Sequence, residues 1–189
     1  IAVEAHVRVV REDPNQKDLL YAGTELGLYV SFDAGQSWKE FQQNLPVVPI
    51  TDLMIQDNDM IVATQGRAFW VLDDLGPLYE MDAAKDADFY VYEPEDAIRD
   101  VAFRTEAPEM GQNPYEGFAM KYFVSELQDS THLEVEIKDK EGSIIRTFTS
   151  DPSAKKDKIK VKKGMNQVQW DLAVQEFELV PGVFSGLES

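Results

Sequence analysis

The chain has 189 residues, of which 35 are acidic and 18 basic, giving a net charge of −17; 43% are hydrophobic and none is cysteine. That length and apolar content suit one large or two small folded domains. So acidic a surface repels phosphate backbones and anionic headgroups, which argues against nucleic acid and membrane as partners, and the lack of cysteine excludes disulfides and thiolate metal sites. No apolar run approaches the roughly 20 residues that span a bilayer. The sequence opens on Ile1 rather than Met, close to a strand-like pattern, so it is expected to be part of a longer protein.

Short β-branched and aromatic runs bounded by turn residues predict strands at 5–10, 19–24, 28–32 and 38–42, then at 52–55, 60–64 and 68–72. The two sets repeat. Leu20-Tyr-Ala-Gly-Thr24 and Met60-Ile-Val-Ala-Thr64 align at an offset of 40, as do Asp33 and Asp73. Self-similarity at about 40 to 50 residues is the spacing of β-propeller blades, each a four-stranded antiparallel meander. The fourth strand of the second copy is expected either at 89–92 or from elsewhere in a longer chain.

Between the third and fourth strands of the first copy lies Ser31-Phe-Asp33-Ala-Gly35-Gln-Ser37-Trp38. Asp33 is placed to accept backbone N–H bonds within its own turn, and Gly35 supplies a backbone geometry that other residues resist. Ser37 adds a hydroxyl bond and Trp38 a large apolar ring. The second copy has Asp73-Asp74-Leu75-Gly76-Pro77 there, without the tryptophan.

Residues 73 to about 114 are acidic and carry prolines, and read as a connector. Alternating patterns then predict strands at 118–124, 133–138, 143–148, 158–161 and 166–172, a small β-sandwich.

Two resemblances stand beside this reading. The pattern S-x-D-x-G-x-S-W at Ser31–Trp38 resembles the Asp box of BNR-type propeller blades. The run Gly164-Met-Asn166-Gln-Val-Gln-Trp170-Asp171 resembles the G-x-N-x-V-x-W-D strand of FlgD-type Ig-like domains. With Asn44-Leu-Pro-Val-Val-Pro49, Ala63-Thr-Gln-Gly-Arg67-Ala-Phe-Trp-Val-Leu-Asp-Asp74 and Gly111-Gln-Asn-Pro114, nearly the whole chain is similar to the C-terminal part of bacterial BNR-repeat proteins with sortilin-like (Vps10-type) propellers, often called glycosyl hydrolases. The resemblance implies an all-β chain: about two propeller blades at 1–92, a linker at 93–114, and a truncated Ig-like sandwich at 115–189. It also implies an exported protein (periplasmic, cell-surface or secreted), with the remaining blades as partners of this piece and no cofactor. Sortilin receptors carry a Cys-rich module after the propeller, and this chain has no cysteine to build one.

In such a propeller, ligands bind on the face bearing the turns between second and third strands, opposite the Asp box. The resemblance therefore puts His6, Glu25, Asp52, Gln65 and Arg67 on the ligand face. A glycosidase needs two carboxyl groups about 5 to 10 Å apart, and Glu25 and Asp52 are the candidate pair, with Arg67 to orient a substrate. Equally, polar residues belong in hairpin turns without any catalytic role. Trp70 and Trp170 alternate with apolar neighbours and read as core, Tyr90 and Tyr92 follow no ligand pattern, and the lysines at 155–163 read as a solvated strand edge. Asp57-Asn58-Asp59 lacks the later ligands of a calcium loop and reads as a turn, and His132 has no partner at metal-ligand spacing. The function these readings suggest is glycan binding or glycoside-hydrolase-like activity, with no complete catalytic site in this piece. The alternatives are a non-catalytic protein-interaction scaffold, and a sandwich serving only as a spacer.

Overall fold

Hairpins account for the first half of the chain. In the computed structural model, which describes residues 5–97, 117–127 and 132–173, β1 (Val7–Glu12), β2 (Leu20–Thr24), β3 (Gly27–Ser31) and β4 (Lys39–Glu40) form one antiparallel meander in that order. The β2–β3 turn closes on Gly27, whose φ of 131° is barred to residues with a side chain. Thr24 Oγ1 reinforces it, donating to Gly27 O at 2.9 Å and accepting from Leu26 N at 3.0 Å. A second meander follows: β5 (Ile50–Gln56), β6 (Asp59–Thr64) and β7 (Phe69–Leu72).

The two sheets are copies of one unit. In each, the first strand carries a bulge at the same register: Val7 and Val9 flank it in β1, Ile50 and Asp52 in β5. Thr24 pairs with Val7, and Thr64 with Ile50. Glu25 N bonds to His6 O, and Gln65 N to Pro49 O. Leu20 pairs with Ser31, and Met60 with Leu72. The last pairing corrects the constant offset of 40. The turn after Thr64 holds one residue more than the turn after Thr24, so the third strands match at an offset of 41. Ser31 then corresponds to Leu72 and Asp33 to Asp74, not Asp73. His6 corresponds to Pro49, and Asp52 to Val9.

Both sheets contribute to one core. Val9, Tyr21, Leu28 and Val30 of the first pack with Ile50, Leu53, Met60 and Val62 of the second, and Trp70 and Leu72 flank them. Burial of each such side chain contributes about 1.5 to 3 kcal/mol. Gly23 makes the close approach possible, since a Cβ there would lie 2.5 Å from Ile50 Cγ2 and 2.7 Å from Val9 Cγ1. The repeat register makes the packing directional. Gly23 and Leu28 face the core from the first sheet, whereas their counterparts Ala63 and Phe69 point to the far side of the second. Opposite faces of the two copies therefore meet, as in a stack of like-oriented plates.

After β7 come two helical turns, α1 (Gly76–Tyr79), with a proline in its first turn, and α2 (Met81–Ala84), where the sequence suggested only a connector. The chain divides after Asp86 into a unit Ile1–Asp86 and a unit Ala87–Ser189.

The second unit contains β8 (Phe89–Val91), β9 (Phe118–Val124), β10 (Glu134–Lys138), β11 (Ile144–Thr149) and β12 (Gly164–Trp170). Its sheets are β12-β9-β8 and β10-β11, and Tyr122, Val124, Phe148 and Val168 form its core. Phe89–Val91 pairs with β9, so it is not the outer strand of the second meander. Residues 158–161 do not form the predicted strand. Thr149 and Lys158 make one isolated bridge, while Ile159 and Val161 pack on the core, which explains the alternation without a ladder. Residues 98–114, including the Gly111–Pro114 lead-in, and those after 173 lie outside the described residues. The protein is thus predominantly β, 44% strand against 5% helix, built from small antiparallel sheets of which none closes.

Candidate functional site

The bulge in β1 aims Arg8 away from the ladder, as bulges do. Its guanidinium lies 2.8 Å from Glu25 Oε1, and His6 Nδ1 lies 3.5 Å from Glu25 Oε2. Three residues on, Arg11 reaches across to β5 and lies 2.8 Å from Asp52 Oδ1. The Asp52 carboxylate also accepts from its neighbour's amide, Leu53 N, at 2.9 Å. His6 and Glu25 are therefore together, whereas Asp52 belongs to a separate pair with Arg11. Gln65 and Arg67 lie in the exposed turn after β6 and are tied there by the main chain. Gln65 N donates to Pro49 O at 2.9 Å, and Arg67 O accepts from Trp70 Nε1 at 2.9 Å.

Arg8 and Arg11 are the residues that sequence reading passed over. The signal was present: two arginines three apart in V-R-V-V-R-E, one of them at the bulge. The resulting patch is solvated, with Glu25 41% and Asp52 62% exposed at their side chains. Such ion pairs contribute about 0 to 1 kcal/mol to stability. A glycosidase proton donor is a carboxyl group kept protonated by an apolar surrounding. Each of these two instead faces water and a guanidinium. The patch is equipped to bind a polar ligand through charge-assisted hydrogen bonds.

On the opposite ends of the strands, the Ser31–Trp38 turn is a closed hydrogen-bond system. Ser31 Oγ donates to Asp33 Oδ1 at 2.8 Å and accepts from Gly35 N at 2.8 Å. Asp33 Oδ1 accepts from Ser37 N at 2.8 Å, and Asp33 Oδ2 from the Ser37 hydroxyl. Trp38 Nε1 donates to Gly35 O at 3.0 Å, and Gly35 holds a φ of 87°. The Ser37 hydroxyl and amide, then Ser31, hold the Asp33 carboxyl at a pKa of about 2, below its ordinary 3.8. The side chains of Ser31, Asp33, Ser37 and Trp38 are all engaged in shaping the turn. In the second copy Leu72 replaces the serine, and Asp74 caps Gly76 N at 3.0 Å instead.

A third polar cluster has no short motif. Asp13 is buried, 3% exposed. Its Oδ1 accepts from Asn15 N at 2.8 Å and Gln16 N at 3.2 Å, and its Oδ2 from the hydroxyls of Tyr21 at 2.9 Å and Tyr79 at 3.2 Å. Asn15 Nδ2 donates to Asp57 O at 2.6 Å. The Asp57–Asn58 turn read from sequence is thus a docking point for the first copy. Among the described residues, no group of three or more His, Cys, Asp or Glu is arranged to hold a metal ion.

The second unit offers an open notch between residues 157–160 and β12, lined by Lys158, Lys160, Gln167 and Gln169. Beside it Arg146 is paired with Asp157 at 2.7 Å. Asn166 closes the preceding turn: its Oδ1 accepts from Lys162 N at 2.8 Å and its Nδ2 donates to Lys162 O and Gly164 O at 2.7 and 2.8 Å. This explains why an asparagine follows Gly164 by two.

Compared with protein-family models, curated proteins and solved structures, the chain matches none.

Proposed function

We propose that this chain is part of an exported Asp-box protein of the BNR-repeat, sortilin-like class, and that it binds a glycan through the patch of His6, Arg8, Glu25, Arg11 and Asp52 without cleaving it. In this reading the two stacked meanders are neighbouring propeller blades, and the second unit is an Ig-like sandwich. The observation that carries it is the like-oriented stacking of two copies of one unit, the first bearing the closed Ser31–Trp38 turn. Stacking of that sense suits blades around an axis. Export rests on the resemblance alone. Binding rather than cleavage follows from the exposure and ion pairing of Glu25 and Asp52.

An oligosaccharide array probed with the chain tests this. Arg8→Ala and Glu25→Gln are expected to weaken any sugar bound by about 10-fold or more, the value of one charge-assisted hydrogen bond. Absence of binding to any sugar would end the glycan reading. One feature favours the second reading, a protein-interaction scaffold: Phe69, Val71 and Met54 are 75%, 55% and 51% exposed on one face of the second sheet. Contiguous exposed apolar surface marks protein contacts more than sugar contacts.

A further inference from the structure

The second unit reverses the charge of the chain at one place. Residues 155–163 hold six lysines against one aspartate, in a protein whose net charge is −17. That aspartate, Asp157, is taken by Arg146 at 2.7 Å. Lys160, Lys162 and Lys163 are exposed, and no carboxylate among the described residues pairs with them. Lys158, Lys160 and Lys162 alternate with Ile159 and Val161, which pack on the core. Two of these lysines line the notch of about 570 Å³ whose other wall is β12, and Phe148, Ile159 and Val168 line it from the core side. β12 is an edge strand: β9 pairs with one side of it, and among the described residues no strand pairs with the other. The notch thus joins a row of main-chain donors and acceptors to a row of ammonium groups.

We propose that this notch docks an extended acidic peptide of a partner protein, which adds to the free edge of β12 as a strand and sets carboxylates against Lys158 and Lys160. The spacing fits. Alternate residues of a strand lie about 6.6 Å apart, so acidic side chains at every second position keep step with lysines at every second position. The residues between them turn to Ile159 and Val168. Another main chain matches the donors and acceptors of an edge strand, as in other strand additions. A single-stranded nucleic acid needs exposed rings for its bases, and the only aromatic residue lining the notch, Phe148, is 7% exposed. Lysines on a sheet edge deter pairing in general. Here they turn away neutral and basic strands and admit acidic ones, which is selection by repulsion as well as attraction.

Fluorescence polarisation of the labelled heptapeptide TEVEVET, titrated with the full chain, tests this. Saturable binding is expected, and raising sodium chloride weakens it. Lys160→Glu is expected to weaken it about 10-fold, since attraction becomes repulsion, and Lys160→Gln about 3-fold. The heptapeptide TQVQVQT is expected not to bind. TEVEVET methylated at alternate backbone nitrogens keeps its charge but is also expected not to bind. Amide shifts at Gln167 and Gln169 on addition of TEVEVET place the peptide on β12. No saturable binding at up to about 1 mM chain overturns the proposal. So does equal binding of TQVQVQT or of the methylated peptide, or an affinity unchanged in both Lys160 variants. Tighter binding of oligogalacturonate or oligothymidylate than of the peptide also overturns it, in favour of another class of polyanion. None of these outcomes bears on the patch of Arg8 and Glu25, which belongs to the other unit.

Discussion

Tyr79 donates its hydroxyl hydrogen to Asp13 Oδ2 at 3.2 Å and so fastens α1 to a turn 66 residues earlier. Tyr21 donates to the same oxygen at 2.9 Å. One buried carboxylate thus ties the first copy's β1–β2 turn to its own second strand and to the segment that follows the second copy.

Removing either hydroxyl leaves that carboxylate less satisfied. Tyr21→Phe is expected to cost about 1.5 to 3 kcal/mol in urea unfolding, and the longer Tyr79 bond about 1 kcal/mol. Burial first, then Asp13, raises the Tyr21 pKa above its ordinary 10.0, and burial raises that of Tyr79. The folded chain keeps both phenols protonated where the unfolded chain begins to lose them. Their stabilisation is therefore full below pH 10.0 and declines as pH rises beyond it. Unfolding free energies measured from pH 9 to 11 are expected to fall less steeply for Tyr21→Phe than for the parent.

Asp33 gives the opposite sign at the acid end. Its pKa falls from 3.8 unfolded to about 2 folded, so its contribution is present above 3.8 and is lost as pH drops through that interval to about 2. Melting temperatures taken from pH 6 to pH 2 are expected to fall for the parent chain and to fall less for Asp33→Asn. Parallel curves would show that the carboxylate does not hold the turn.

Gly23→Ala places a Cβ 2.5 Å from Ile50 Cγ2. Overpacking of this kind costs about 1 to 3 kcal/mol. Adding Ile50→Ala removes Cγ2, the atom that the new Cβ meets first, so the double variant is expected to lose less than the sum of the two single losses, and a double-mutant cycle by urea unfolding reads the coupling. Additive losses would contradict the contact.

The first meander was legible in the sequence because its turns carry local chemistry, Thr24 and Gly27 in one and Ser31 to Trp38 in the other, and the second because Met60–Thr64 repeats Leu20–Thr24. The extra residue after Thr64 was not, because matching residue types at Asp73 and Asp74 hides a shift that only strand pairing reveals. The partners of Asp13 were hidden by separation: no spacing rule links residues 13, 21 and 79. Arg8 was visible as a charge but not as the partner of Glu25, since the bulge decides where it points. Residues 158–161 had the right alternation but no neighbouring strand to complete a ladder, and alternation alone reports burial rather than pairing.

In the second unit, Asn166→Ala removes three hydrogen bonds to Lys162 and Gly164. Asn166 is 5% exposed, so water does not replace all of them, and a loss of about 1 to 3 kcal/mol is expected. Amide exchange is the appropriate measurement, with faster exchange at Lys162 as the expected sign.

The directional stacking of the two meanders is tested most directly by nuclear Overhauser effects from the Ile50 methyl groups. Cross-peaks to the Gly23 Hα protons and the Val9 methyls are predicted. Cross-peaks from Ile50 to Leu20 and Tyr29, on the other face of the first sheet, would contradict it.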